Sequence, residues 1–153
     1  MSIYRIEKDQ RIGDEAMDLL LLADPSEEMI QSYVTGSTVF QLRVGNELAG
    51  IAVCKEMTAD SLEIKNIAVG EKHQKKGYGR ALLEACIEYG KQSPYMYLSI
   101  ATGNSSKHQI ALYESCGFLI HHIEKDYFIK HYPEPIYENG IQCCDKVVLR
   151  RHI

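Results

Sequence analysis

Between an apolar run ending in Ile67, Ala68 and Val69 and a stretch of good helix formers lies Gln74-Lys75-Lys76-Gly77-Tyr78-Gly79-Arg80. Its glycines therefore stand at a helix N-terminus, where four backbone amides lack intrahelical partners and the helix dipole adds partial positive charge. Such a terminus can hold a pyrophosphate by backbone alone, and glycine lets the phosphates come close. The segment is neither a P-loop, which needs Gly-x4-Gly-Lys followed by Ser or Thr, nor the three-glycine dinucleotide fingerprint. Lys72, Lys75, Lys76 and Arg80 either add charge around the phosphates or form a solvated basic loop.

The elements that must position this loop follow from the pattern of the chain. Residues 3–6 alternate as a short strand, and 16–22 have helical character. Asp24-Pro25-Ser26-Glu27 reads as a second helix start, with Asp24 as cap, Pro25 at the first helical position and Glu27 completing a capping box, the helix running to about Tyr33. After Gly36, residues 39–44 and 48–53 form a hairpin about Gly45-Asn46, and 62–69 add a third antiparallel strand. In that strand the alternation changes phase. Leu62 and Ile64 are apolar at even positions, Ile67 and Val69 at odd ones. Either a bulge near Lys65-Asn66 returns both pairs to one face and kinks the strand, or the strand is buried on both faces near its end. A helix over 77–91, a strand over 95–101, a helix over 104–116 stopped by Gly117, strand material over 118–129, a loop over 132–140 and a last strand over 144–150 complete the order. The predicted class is α/β (α+β): a mixed, mostly antiparallel sheet of six to seven strands with about four helices on both faces, in one domain over 1–153.

Gln74-x-x-Gly77-x-Gly79 after Ile67-Ala68-Val69 resembles the acetyl-CoA signature of the GNAT family of N-acetyltransferases. A second segment, Asn104 through Ala111, Tyr113, Cys116, Gly117 and Phe118, is similar to that family's Asn-containing motif, with a small departure in spacing. The likeness covers essentially the whole chain. It implies a fourth strand splayed from the fifth, with backbone groups of Ile67, Ala68 and Val69 pairing with the pantetheine arm of acetyl-CoA in the gap. It further implies that the amides of Lys75, Lys76, Gly77, Tyr78, Gly79 and Arg80 hold the pyrophosphate, with Gln74 in the signature and the Asn104 side chain reaching the pantetheine.

The resemblance also implies the chemistry. An alkylammonium, of pKa about 10.4, costs roughly 4 to 5 kcal/mol to present as free amine at neutral pH, so a proton acceptor is needed. Glu63, on the bulged strand, is similar in place to a basic Glu of some members; a water relay or a plain surface role for Glu63 are the alternatives. A free backbone amide near Ile67 or Ala68 would stabilise the oxyanion. Tyr113 matches a tyrosine that protonates the leaving thiolate, or else packs as a core residue. The acceptor expected is a primary amine of a small molecule or a peptide, attacking directly in a ternary complex. A flat open groove would favour peptides; a closed acidic pocket built by 132–139 would favour small amines.

Composition sets the outer limits. The chain has 153 residues, enough for one core, and a formal charge of -4, which argues against nucleic-acid binding. Five cysteines, an odd number, read as reduced thiols, and the absence of a basic-then-apolar stretch in residues 1–7 or a long apolar run leads to the expectation of a cytoplasmic protein off the membrane. No metal site is expected, since adjacent His121 and His122 would face opposite sides of a strand. A homodimer is left open. The rival reading is a non-catalytic acyl-CoA-binding sensor or assembly module.

Overall fold

In the computed structural model, which describes residues 3–153, the first two helices are opened by the acidic residues of their first turns. Asp14 and Glu15 begin α1 (Asp14–Ala23), and Glu27 and Glu28 begin α2 (Glu27–Val34), anions matched to the N-terminal dipole. Met1 and Ser2, the start of the N-terminal stretch considered above, lie outside the described residues. Gly36, at φ 79°, turns the chain out of α2. The strands are β1 (Arg5–Lys8), β2 (Thr38–Val44), β3 (Glu47–Thr58), β4 (Ser61–Val69), β5 (Tyr97–Gly103), β6 (Leu119–Glu124), β7 (Tyr137–Glu138), β8 (Ile141–Gln142) and β9 (Lys146–His152). A 3-10 turn (Glu71–His73) leads to α3 (Tyr78–Lys91), and α4 (Lys107–Ser115) and α5 (Tyr127–His131) follow.

Seven strands form one sheet in the order β1-β2-β3-β4-β5-β9-β6, all antiparallel except β4 with β5; β7 and β8 form a separate hairpin. Two apolar cores flank the sheet. One, with Leu82, Leu83, Leu98, Tyr113 and Phe118, lies beneath α3 and α4; the other, with Leu20, Ile30, Ile51 and Val53, lies beneath α1 and α2. The expected fold class is the one observed, with five α-helices among the described residues where about four were expected.

The phase slip in β4 is a bulge. Val53 pairs with Asn66 and Cys54 with Ile64, which leaves Lys65 as the extra residue. Leu62, Ile64, Ile67 and Val69 consequently all pack against the α3 core, while Ala68 packs with α1 and α2. The register establishes the bulge, and the end of the strand is in addition covered on both faces.

Local readings needed correction in four places. Ser26, not Asp24, caps α2: its Oγ accepts from the Met29 amide at 3.1 Å, so Pro25 precedes the cap. Asp24 instead ends α1 and turns its carboxylate inward. Asn104 lies before α4, which starts at Lys107. Beyond Glu124 the expected strand gives way to α5, entered through Asp126 at φ 57°. Finally, β6 slips register between Ile120 and His122, so His121 and His122 meet with ring centroids 5.0 Å apart instead of facing opposite sides.

Candidate active site

The parallel pairing of β4 with β5 runs from Ser61↔Tyr97 to Ile64↔Ile100 and ends there. The bulge at Lys65 bends β4 at that point, and both strands continue, β4 to Val69 and β5 to Gly103, without pairing to each other. β5 stays paired with β9 on its far side throughout, from Tyr97↔His152 to Gly103↔Lys146. A gap therefore opens along Ile67, Ala68 and Val69, with backbone groups on its wall that a strand-like ligand can pair with.

The gap runs toward the head of α3. Alone among α1, α2 and α3, this helix has neither an acidic residue in its first turn nor a side chain capping it. Its N-terminal charge is thus uncompensated by the protein. Gly77, at φ 85°, and Lys75, at φ 64°, take left-handed conformations, and Gly77 passes directly into the right-handed helix, a geometry that gathers successive amides into an anion-binding nest. The Gln74 side chain donates to the Val69 carbonyl at 3.0 Å and ties this loop to the end of β4. Tyr78 is buried against His73 and Tyr4, so its ring anchors the helix start.

The basic residues divide. Lys72 is held by Glu47 at 2.5 Å, and Arg80 reaches across to Ser115 Oγ at 3.0 Å and Cys116 Sγ at 3.3 Å. Lys75 and Lys76 are exposed and in no ion pair among the described residues.

At the splay the gap widens into a cleft of about 430 Å³, within the range of small-molecule sites. Tyr113 and Glu63, distant in sequence, share its wall, together with Ile64, Asn66 and Ile67. Tyr113 is 3 % exposed, and burial holds its phenol protonated well above the usual tyrosine range. Glu63 Oε2 lies 2.6 Å from Lys65 Nζ, so this carboxylate is engaged by the bulge residue itself. Asn104 is brought elsewhere. Its Oδ1 accepts from the Cys144 and Asp145 amides at 2.9 and 3.0 Å, and its Nδ2 faces the Gln142 carbonyl at 3.4 Å, fixing the entry to β9. It does not line the cleft.

The remaining wall comes from the α1–α2 loop, the end of β5 and the C-terminal segment, which includes part of the 132–139 stretch read from sequence as a possible acceptor pocket. Tyr132, Tyr137 and Glu138 line it; Glu134 does not. Sequence reasoning missed Asp24, Tyr33, Lys65, Asn66 and Tyr127. Asn66 Nδ2 donates to the Leu20 carbonyl and to the Tyr33 hydroxyl, each at 3.0 Å, and Tyr33 in turn donates to Asp24 Oδ2 at 3.1 Å. A polar residue at a phase slip was the one available signal. Among the described residues, no group of three His, Cys, Asp or Glu side chains is placed to hold a metal ion, and no helix is long and apolar enough to cross a membrane.

The cleft tyrosines also carry a pH prediction. Burial, with the Asp24 carboxylate adding to it for Tyr33 and Tyr132, raises the phenols of Tyr33, Tyr113 and Tyr132, against which the Asn66 bond to Tyr33 acts in the opposite sense. The folded chain then keeps protons that the unfolded chain releases from about pH 10 upward. Stability is fully present below that pH and declines as pH rises toward the folded values. Urea midpoints should fall between about pH 9 and about pH 11, with a shallower fall in Tyr33→Phe. Equal slopes for wild type and variant would contradict this assignment.

Comparison with known proteins agrees with this geometry. Residues 2–118 match the Acetyltransferase (GNAT) family. The chain is 46% identical over 149 residues, 97% of its own length and 96% of the relative's, to the uncharacterized N-acetyltransferase YvbK of Bacillus subtilis. A GNAT family acetyltransferase from Elizabethkingia anophelis, solved with acetyl-CoA bound, superposes with a TM-score of 0.94 at 42% identity, 98% of each chain being covered. A Bacillus subtilis acetyltransferase in complex with CoA gives 0.94 at 44% identity over 99% of each chain. The whole fold that carries the bulged β4 and the head of α3 thus superposes on acetyltransferases along the full chain, and this protein belongs to the GNAT family of acetyltransferases.

Proposed function

We propose that this protein transfers an acetyl group from acetyl-CoA to a primary amine of a small molecule or peptide, by direct attack in a ternary complex. The observation that carries this reading is the path from the uncompensated head of α3, along the unpaired edge of β4, to a cleft that Tyr113 and Glu63 both line. The site fits the coenzyme: a dinucleotide-sized anion needs amides, which α3 supplies, and an amide-bearing arm needs strand edges, which the splay supplies.

In this reading the amides of residues 75–80 hold the pyrophosphate, and Lys75 and Lys76 strengthen its hold at low salt. Backbone groups of Ile67, Ala68 and Val69 align the pantetheine, and an amide at Ile67 or Ala68 faces the negative charge that develops on the thioester oxygen. Asn104 acts indirectly, by fixing the turn before β9. Tyr113, protonated at neutral pH, gives its proton to the departing thiolate. The amine's proton leaves by Glu63 or by water; Glu63 must first loosen its contact with Lys65. The structures with bound coenzyme support the donor half.

Coenzyme-thiol release over a panel of amines and peptides tests the proposal. Release that depends on a particular amine is the expected result. Coenzyme binding without release on any acceptor would favour a sensor or assembly module.

A further inference from the structure

The acceptor end of the cleft is bridged. Tyr132, which follows α5, donates its hydroxyl to Asp24 Oδ1 at 2.9 Å, joining segments 108 residues apart in sequence. Asp24 is 9 % exposed, and it also receives the Tyr33 hydroxyl at 3.1 Å and the Ser26 amide at 3.1 Å. Three donors converge on one carboxylate, so the bridge is charge-assisted and held on both sides. A second tie closes the other end of the same segment. Glu138, in the β7–β8 hairpin, accepts from Ser106 Oγ at 2.5 Å and Ser105 Oγ at 3.3 Å at the head of α4.

Residues 132–138 are therefore fastened at both ends, to the α1–α2 loop and to α4, and both fastenings lie on the wall of the cleft. A protein terminus entering an active site needs an open trough, because the residues behind the reacting one must continue outward. Here the segment that borders the cleft is tied across to the α1–α2 loop at one end and to the head of α4 at the other. The space of about 430 Å³ has to serve both the thioester end and the acceptor. The surfaces it offers are largely aromatic, with Tyr33, Tyr113, Tyr127, Phe128 and Tyr132 on the wall, and the faces of Tyr33 and Tyr127 are already covered by the protein's own Lys65 and Lys146, at 5.7 and 4.5 Å from the ring centroids.

We infer that the acceptor is a small amine with a compact apolar body, enclosed beneath the Asp24–Tyr132 bridge, and not the terminus of a protein chain. This rests on the transferase reading above and narrows its acceptor class. Asp24 and Tyr132 act as positioning residues: they keep that segment tied and set which acceptors fit.

The test compares kcat/KM for an arylalkylamine, a polyamine and an alanine-ended pentapeptide, by thiol release. Wild type should favour the arylalkylamine over the peptide by at least about twentyfold, within the span that pocket fit alone supplies, and a polyamine used better than the arylalkylamine overturns the apolar-body part of the inference. Tyr132→Phe keeps the ring and loses the bridge, so the preference should shrink by about tenfold while acetyl-CoA affinity by calorimetry stays unchanged. A peptide used as well as or better than both small amines by wild type overturns the inference, whatever the variant does. An unchanged preference in a folded Tyr132→Phe overturns the role of the bridge. Release on none of the three acceptors, with acetyl-CoA still bound, counts instead against the transferase reading and removes the basis of this one.

Discussion

Tyr113→Phe should lower kcat by about a hundredfold or more, the usual range for loss of a general acid, while acetyl-CoA affinity stays within about twofold. The substitution removes one oxygen and keeps the ring, which packs 6.4 Å from Phe118 in the α3 core. Stability is therefore expected to change little. Burial makes Tyr113 a weaker acid, and the same low-dielectric surroundings make a newly formed thiolate a stronger base, which offsets part of that effect on proton transfer. Steady-state kinetics with an accepted amine, paired with calorimetry, separates the two effects. A loss of affinity with turnover intact would mean that Tyr113 only packs.

Gly77→Val should weaken acetyl-CoA binding by at least about a hundredfold, the worth of two good charge-assisted hydrogen bonds. Gly77 sits at φ 85°, and a Cβ there meets nothing of the protein within 4 Å. The new side chain enters the space before the α3 amides, and a β-branched residue resists the left-handed conformation that gathers them. The strain costs about 1–2 kcal/mol, too little to unfold a domain of this size. Gly79→Val is expected to act in the same direction, since its Cβ would make only an ordinary 3.9 Å contact with Val69. Retained binding in a folded Gly77→Val, by calorimetry and circular dichroism, would remove the anion-site argument.

Much of the donor half was legible because its determinants are local. A phase slip of one residue in β4 marks the bulge, and glycines before a helix mark an anion site; both signals lie within a few residues of the feature they predict. Asp24 shows the limit. In sequence it reads as the cap of α2, but Tyr33 and Tyr132 claim its carboxylate from 9 and 108 residues away, and Ser26 caps the helix instead. The partners of the Asn104 side chain, the Cys144 and Asp145 amides, are equally out of local reach, 40 and 41 residues distant. The helix α5 was missed because Asp126 enters it through a left-handed residue, supported by the Asp145 side chain. The acceptor wall is assembled from such long-range contacts, so its identity had to wait for the fold.

The most direct test of the central claim is the stoichiometry of product with an accepted small amine. Mass spectrometry of the acceptor, alongside thiol release, should find one acetylated amine for each coenzyme A freed, and almost no coenzyme A freed when the amine is omitted. Coenzyme A released without any acetylated amine, or acetyl-CoA bound and left intact across the whole panel, would contradict the account.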